Sequence, residues 1–401
     1  MKRTQVQYAG YNMQAVILKK GREWAVTQRH HWIFSGAVAS YPKEYVDGEL
    51  VAIRSAEGQV VGHGFFNRKV SLAGRVVSFS EEEVYAALTR TLEEALALRA
   101  PLLASKHTTA CRLVNGEGDG LPGLIIDKYG PYLVVQTGAL GMRTLLPWLI
   151  EQLKTRLEIQ GVYDKSSGGS LKEEGVEPRE EVLWGEIPDR VEILEEGMRY
   201  FVDIKRGQKT GFFLDQREMR KWVQELAQGK KVLNGFCYTG GFSLAALAGG
   251  AVRVDSVDIS GSAMQLCHEN VALNGFNTQE HGFHQTDVFD FLDQHACDYD
   301  LVILDPPAFA KKKKDIPSAC KGYQRIFGQA LRSMPKASHL LVSSCSHYIT
   351  EELFETCIRD AALQAERTLR IVGRHRLACD HPENLFHPES AYLKSLLVWV
   401  Y

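Results

Sequence analysis

Residues 232–248 read VLNGFCYTGGFSLAALA: an apolar strand, the loop Asn234-Gly-Phe-Cys-Tyr-Thr-Gly-Gly241, and the opening of a helix. Glycines at such a junction let the backbone pass close to a ligand and turn the helix N-terminus toward it. The pattern repeats downstream. VDSVDI (254–259), DYDLVILD (298–305) and HLLVSSC (339–345) are strand-like, and helical segments separate them. Near-continuous apolar strands alternating with helices predict a doubly wound parallel sheet, of Rossmann-like α/β class, over residues 196–401. Ligands of such sheets bind beyond the C-terminal ends of the strands. Functional residues are therefore expected at 234–241, 258–260, 287, 305–309 and 343–346.

Two further modules precede that sheet. Residues 13–79 carry short Val-, Ile- and Phe-rich runs punctuated by glycines, and ELVAIRSAEGQVVGHGFF reads as two strands turning at Glu57-Gly58. A mostly β domain over 1–79 follows. Ser80-Glu-Glu-Glu83 has the spacing of a capping box, and Val84, Leu88, Leu92 and Leu96 continue it as a helix that Pro101 stops. Strand-like CRLVNG and LIIDKYGPYLVVQ, a helix near 142–158, GVYDK and a charged, loop-like 165–181 complete a small α+β domain over 80–195.

The 401 residues suffice for two or three domains, and 45% apolar with 24% charged residues is the composition of a globular protein. No stretch reaches the roughly 20 apolar residues of a bilayer span, and the N-terminus lacks the pattern of a signal peptide. Eight cysteines without a CxxC pair argue against disulfides or a zinc cluster. His281 and His284 form an HxxH pair without cysteine neighbours, so a turn or surface role is expected there and no metal. A reducing, cytoplasmic location follows. The net charge is −2, but residues 1–80 hold 11 lysines and arginines against 5 aspartates and glutamates. A basic module on an acidic body suits a protein that recruits a polyanion with one end.

The loop spacing is not GxGxxG, which disfavours a pyrophosphate-binding site. Asp258 ends the second strand, where a carboxylate accepts both hydroxyls of a ribose; NAD and S-adenosylmethionine fit this equally, and a helix cap shared with Ser260 is the plainer role. Asp287 follows the third strand, within reach of an adenine amino group. Asp305-Pro-Pro-Ala-Phe309 breaks the tie. Two prolines after a buried strand stiffen the turn and remove two backbone donors. Asp305 and the Pro306 carbonyl then face the edge of a flat heterocycle, with Phe309 placed to stack on it. Such a loop resembles the target-binding loop of nucleic-acid methyltransferases. Cys345 ends the fifth strand in Ser343-Ser-Cys-Ser346. A buried free cysteine is ordinarily just a small hydrophobe. Methylation at C5 of cytosine, however, requires a thiolate on C6, whereas an exocyclic amine needs no nucleophile. Cys237 and Cys320 are rivals, but neither sits at a strand end facing the target.

With these residues in view the chain resembles the bacterial large-subunit (23S) ribosomal RNA cytosine-5 methyltransferases. The likeness rests on QRHHWIFSGAV (28–38), GEGDGLPGLIIDKYG (116–130), GQKTGFFLDQR (207–217), NGFCYTGGFSLAAL (234–247), DPPAF (305–309), ACKGY (319–323) and SSCS (343–346). It implies a PUA-like RNA-binding domain (1–79), a central domain (80–195) and a Rossmann-type class I methyltransferase domain (196–401). It also implies S-adenosylmethionine as cofactor and ribosomal RNA as partner, with Cys345 attacking and Asp305 holding the cytosine N3 side. The expected cofactor set is Asn234, Phe236, Tyr238, Gly240, Gly241, Asp258, Ser260, Asp287 and Asp305. Pro306, Pro307, Phe309, Lys311 and Lys312 are expected against the RNA. His31 and Ala308 depart from that family's pattern, which usually has proline and a larger residue there. An amino-group methyltransferase on guanine or adenine, and a non-catalytic RNA-binding assembly factor, stay open at this point, as does a homodimer.

Overall fold

Residues 13–277 and 281–401 are described in the computed structural model; Lys2 and Arg3 of the basic N-terminal balance lie outside them. The chain divides into two compact units. One runs through Pro101 and adds Arg112–Pro188 and His381–Ser390; the other comprises Leu102–Cys111, Asp189–Asp380 and Ala391–Tyr401.

In the first unit a six-stranded sheet has the order Trp32–Ile33, Gly74–Ser78, Val60–Phe66, Leu50–Arg54, Ala15–Leu18, Val38–Ser40. The hairpin around Glu57-Gly58 is present, and Gly58 takes the left-handed conformation its turn needs (φ +88°). Val16, Leu18, Ile33, Ile53, Phe66 and Val76 fill the core. The helix that follows spans Val84–Leu98 and buries Val84, Leu88 and Leu92. Its cap is not Ser80. The Glu83 carboxylate accepts from the Tyr85 and Ala86 amides at 3.1 and 2.8 Å, while the Ser80 hydroxyl lies against that of Ser78. Residues 81–83 are still non-helical, so the first free amides fall within reach of Glu83. Pro101 sits inside a separate turn, Ala100–Leu103, and the long helix has already ended.

A five-stranded sheet has the order Arg179–Gly185, Gly161–Ser166, Tyr132–Thr137, Leu124–Tyr129, Ala110–Asn115, and the helix beside it is Leu140–Lys154. The stretch 165–181 is not a loop. It holds the helix Gly169–Glu174 and the start of Arg179–Gly185, an edge strand antiparallel to Gly161–Ser166. Exposed charges such as Glu180 and Glu181 belong on an edge strand, where they discourage further pairing. Within GEGDGLPGL, Asp119 accepts from the fully buried Arg99 at 2.7 Å and from the Asn115 amide, so this stretch is a structural clasp.

The second unit starts its own structure with the hairpin Val191–Glu195/Met198–Val202 and builds a seven-stranded sheet. Its order is His281–Gln285, Arg253–Asp258, Lys231–Gly235, Leu301–Leu304, Ser338–Ser344, Lys394–Val400, Leu369–His375. The first five are parallel, as the apolar runs predict; Lys394–Val400 is antiparallel to both neighbours. Leu233, Val302, Leu340, Phe327 and Phe354 lie in the core. Strand order reverses between Lys231–Gly235 and Leu301–Leu304, which is where such sheets bind ligands. Gly235 pairs with Val257 and with Leu304, and Leu304 pairs with Val342. Residues 236, 258, 305 and 345 therefore all emerge at one rim. The HxxH histidines are held by neighbours, His281 by the Ser256 hydroxyl (2.7 Å) and His284 by Asp255 (2.8 Å). Among the described residues no helix is long and apolar enough to cross a membrane.

Candidate active site

At that rim lies a cavity of about 550 Å³, lined from the strand ends by Phe236–Thr239, Gly241, Asp258–Ser260, Asp305–Ala308 and Cys345. This volume suits a cofactor together with part of a substrate. The loop after the first strand is held in an unusual shape. Phe236 and Tyr238 adopt left-handed backbone conformations (φ +60° and +49°), which cost about 1–3 kcal/mol each unless the surroundings enforce them. Asp258 is one such restraint: its Oδ2 accepts from the Tyr238 amide and its Oδ1 from the Ser260 amide, both at 2.9 Å. The Tyr238 hydroxyl is another, accepting from the Gln208 amide (2.8 Å) and donating to the Gly211 carbonyl (3.2 Å). Each Asp258 oxygen keeps a further lone pair, so loop support and ribose binding are compatible. Ser260 also caps the helix Gly261–Leu273 through the Ala263 amide.

Five expected groups line the cavity from the cofactor side: Phe236, Tyr238, Gly241, Asp258 and Ser260. Others are engaged elsewhere. Asn234 is buried and donates to the Ser243 hydroxyl (2.8 Å), fixing the strand-to-helix turn from behind. Gly240 is left-handed (φ +85°), and a Cβ there would meet the Cys267 sulfur, so its task is close packing. Asp287 caps the helix Val288–Gln294 through the Phe289 and Asp290 amides. On the target side Pro306, Pro307 and Ala308 line the cavity. Phe309 instead packs on Tyr323, ring centroids 4.8 Å apart. Lys311 and Lys312 are exposed on the following loop, and their backbone amides, not their ammonium groups, bind Asp315.

Burial raises the Asp305 carboxyl to about 6, with Asp215 adding to the rise; a hydrogen bond from the Gln216 amide nitrogen (2.6 Å) and the Lys209 charge oppose it. Burial first, then Asp305, likewise raises the half-buried Cys345 thiol, and Lys209 pulls it down. The Lys209 ammonium lies 3.0 Å from Asp215 and over the Phe213 ring. Cys237 is buried beside Met264 and Cys267, which holds its thiol well up. Cys320 packs against the sheet's core and does not line the cavity. The remaining wall comes from 208–220 and Leu393. The length of KTGFFLDQR marked this segment as specific, but no residue type in it signalled that Lys209 and Gln216 stand beside Asp305.

The elevated Asp305 carboxyl has a testable cost. Between its ordinary and its raised value the folded chain holds a proton that the unfolded chain has lost, so stability falls as pH rises toward and past 6. Asp305→Asn should raise the free energy of unfolding at about pH 8 by up to about 3 kcal/mol, and the gain should vanish below about pH 4. Calorimetry across that range checks it; a gain independent of pH would contradict the electrostatic origin.

A mostly parallel sheet with a glycine loop at its switch point, a carboxylate at the end of the next strand and an Asp-Pro-Pro loop has the layout of a class I methyltransferase domain. The chain matches the S-adenosylmethionine-dependent methyltransferase family over residues 173–392 and a PUA-like domain over 16–79. It is 37% identical to ribosomal RNA large subunit methyltransferase I of Aeromonas hydrophila, over 96% of this chain and 98% of that one. It is 37% identical to the Escherichia coli protein of the same name, over 94% and 97%. Among solved structures it superposes on SMU.776, a methyltransferase candidate complexed with SAH, with a TM-score of 0.82 and 26% identity, covering 96% of this chain and all of that one. The chain belongs to the ribosomal RNA large subunit methyltransferase I family of S-adenosylmethionine-dependent methyltransferases. Its cofactor is S-adenosylmethionine. The cavity fits that molecule, with apolar Phe212, Phe236 and Ile259 beside the Asp258 carboxylate.

Proposed function

We propose that the chain methylates C5 of a specific cytosine in large-subunit ribosomal RNA through a covalent bond between Cys345 and C6. The observation that carries this reading is that Cys345 and Asp305 open into the same cavity as Asp258 and the glycine loop. The relatives' name supports ribosomal RNA as substrate. The thiol at the target end favours C5 over an amine, because only carbon methylation needs a nucleophile to enrich the ring.

S-adenosylmethionine, when bound, supplies an electrophilic methyl group. Asp258 accepts the ribose hydroxyls on the lone pairs that Tyr238 and Ser260 leave free. Pro306 and Pro307 present a rigid edge without amide donors to a flipped base. The Cys345 sulfur bonds to C6 as the thiol's proton passes to N3. Asp305 is suited to carry that proton because its raised carboxyl titrates near neutrality. Electron density moved onto C5 takes the methyl group. Asp305 or a water then removes the C5 proton, the S–C6 bond breaks, and N3 returns its proton. Gln216 and Lys209 hold the Asp305 side of the cavity during these transfers. Residues 1–79 serve as the RNA-binding module, 80–195 as the central domain and 196–401 as the catalytic domain, and Lys311 and Lys312 meet phosphates.

RNA in which the target cytidine is replaced by 5-fluorocytidine tests the covalent route, because fluorine at C5 blocks the final proton loss. A complex of chain and RNA stable to denaturing electrophoresis should form, and only when S-adenosylmethionine is present. Absence of that complex on an RNA that is methylated normally when it carries cytidine would remove the cysteine pathway.

A further inference from the structure

The first unit contains a buried group that methyl transfer does not use. The His387 ring is fully buried, yet neither its Nδ1 nor its Nε2 has a hydrogen-bond partner. It lies between His30 (ring centroids 4.3 Å apart) and the indole of Trp32 (4.6 Å, edge-on), with His31 5.9 Å away. A buried polar group left without a partner typically costs about 1–3 kcal/mol. One further side chain, Glu389, completes the cluster. Glu389 places Oε2 3.2 Å from His30 Nε2 and 3.9 Å from His387 Nε2, and the three donor atoms lie within 4.8 Å of one another.

We propose that His30, His387 and Glu389 form a site for a divalent transition-metal ion of the zinc type. Two imidazoles and one carboxylate are a borderline-soft donor set that favours zinc over magnesium or calcium, with a fourth position left to water. Bonds of about 2.0–2.1 Å in a tetrahedron place ligand atoms about 3.4 Å apart. The 3.2 and 3.9 Å separations bracket that edge, so small side-chain rotations close the site. His30 Nδ1 accepts from the Trp32 amide at 3.2 Å, which places the ring proton on Nε2 beside Glu389. Ligation through Nε2 moves that proton to Nδ1 and ends this long hydrogen bond. His30 and Glu389 are partly exposed, so an ion can enter, while His387 forms the floor. The ligands come from positions 359 residues apart in sequence for His30 and Glu389, so no local spacing announces the site. A bound ion would pin the segment 384–390 to the start of the strand at Trp32.

The test uses the full chain, stripped with a chelator and titrated with cobalt(II), then zinc(II). One equivalent of cobalt should bind with visible d–d absorption and without the near-ultraviolet band of thiolate ligation, and zinc should displace it. Zinc should raise the unfolding midpoint of the wild type, as any ligand of the folded state does. His387→Phe keeps a ring in the space, and Glu389→Gln keeps a partly exposed side chain of equal size. Both should weaken binding by more than the roughly 10–100-fold that loss of an outer-shell partner costs. Cys379→Ser, which removes an exposed thiol, should bind unchanged. No stoichiometric uptake by the wild type, or equal uptake by Glu389→Gln, overturns the site.

Discussion

Cys345→Ala is expected to reduce methyl transfer to below about one-thousandth of the wild-type rate and to abolish the 5-fluorocytidine complex. The sulfur lines the cavity beside Asp305 and the Asp-Pro-Pro loop, where a base to be attacked at C6 would lie, and alanine is small enough to leave the loop 343–346 in place. Ser346 is fully buried and anchors that loop independently, with its carbonyl accepting from Lys394 at 2.9 Å. Cys237→Ala and Cys320→Ala should retain both reactions, since one thiol is sealed beside Met264 and the other packs on the sheet's core. Transfer of labelled methyl groups to ribosomal RNA, followed by nucleoside mass spectrometry, reads the outcome. Near-normal methylation by Cys345→Ala would end the cytosine-5 assignment. The Asp-Pro-Pro loop would then be read as serving an exocyclic amine, whose lone pair needs no covalent help.

Asp258→Ala should weaken S-adenosylmethionine binding by roughly 10²–10⁴-fold, because two charge-assisted hydrogen bonds to ribose are worth about 1.5–3 kcal/mol each. The same change frees the Tyr238 and Ser260 amides, so the left-handed loop conformation loses a restraint as well. Asp258→Asn separates these contributions. The amide retains one acceptor for a loop amide but loses the charge, so it should recover part of the affinity. Isothermal titration with the cofactor measures both; unchanged affinity in Asp258→Ala would remove the ribose assignment.

Sequence periodicity carried the four inner parallel strands well because they are largely buried on both faces and read as apolar runs, whereas the edge strand His281–Gln285, with one residue buried, has no such run. Leu301–Leu304 is the plainest case, with all four residues buried. It carried the strand Arg179–Gly185 badly, because an edge strand has charges where a central one has leucines. Asp258, Asp305 and Cys345 were legible for a topological reason: strand ends at one rim collect the chemistry whatever the helices do. Asn234 and Phe309 have the right types at the right ends, yet Ser243 and Tyr323 engage them, while both amides that Asp287 caps bond its Oδ1 and leave it further acceptor capacity, as with Asp258. Lys209 and Gln216 lay hidden for the converse reason. They come from an aperiodic segment whose approach to Asp305 is set by packing across about ninety residues of sequence, a separation of 89 for Gln216.

The strand Lys394–Val400 lies between Ser338–Ser344 and Leu369–His375, although it is the last of the three in sequence. It follows directly on Tyr392, whose hydroxyl binds Asp215 at 2.6 Å, and Leu393, which lines the cavity. On a growing chain, Leu369–His375 therefore has no neighbour to dock against until residues 394–400 have cleared the ribosome. Synthesis from the N-terminus leaves this side of the sheet two strands short, with the cavity wall open, until residues 392–400 have emerged. A nascent chain halted before residue 392 thus carries the glycine loop, Asp258, Asp305 and Cys345 without the closed cavity wall that Leu393 completes.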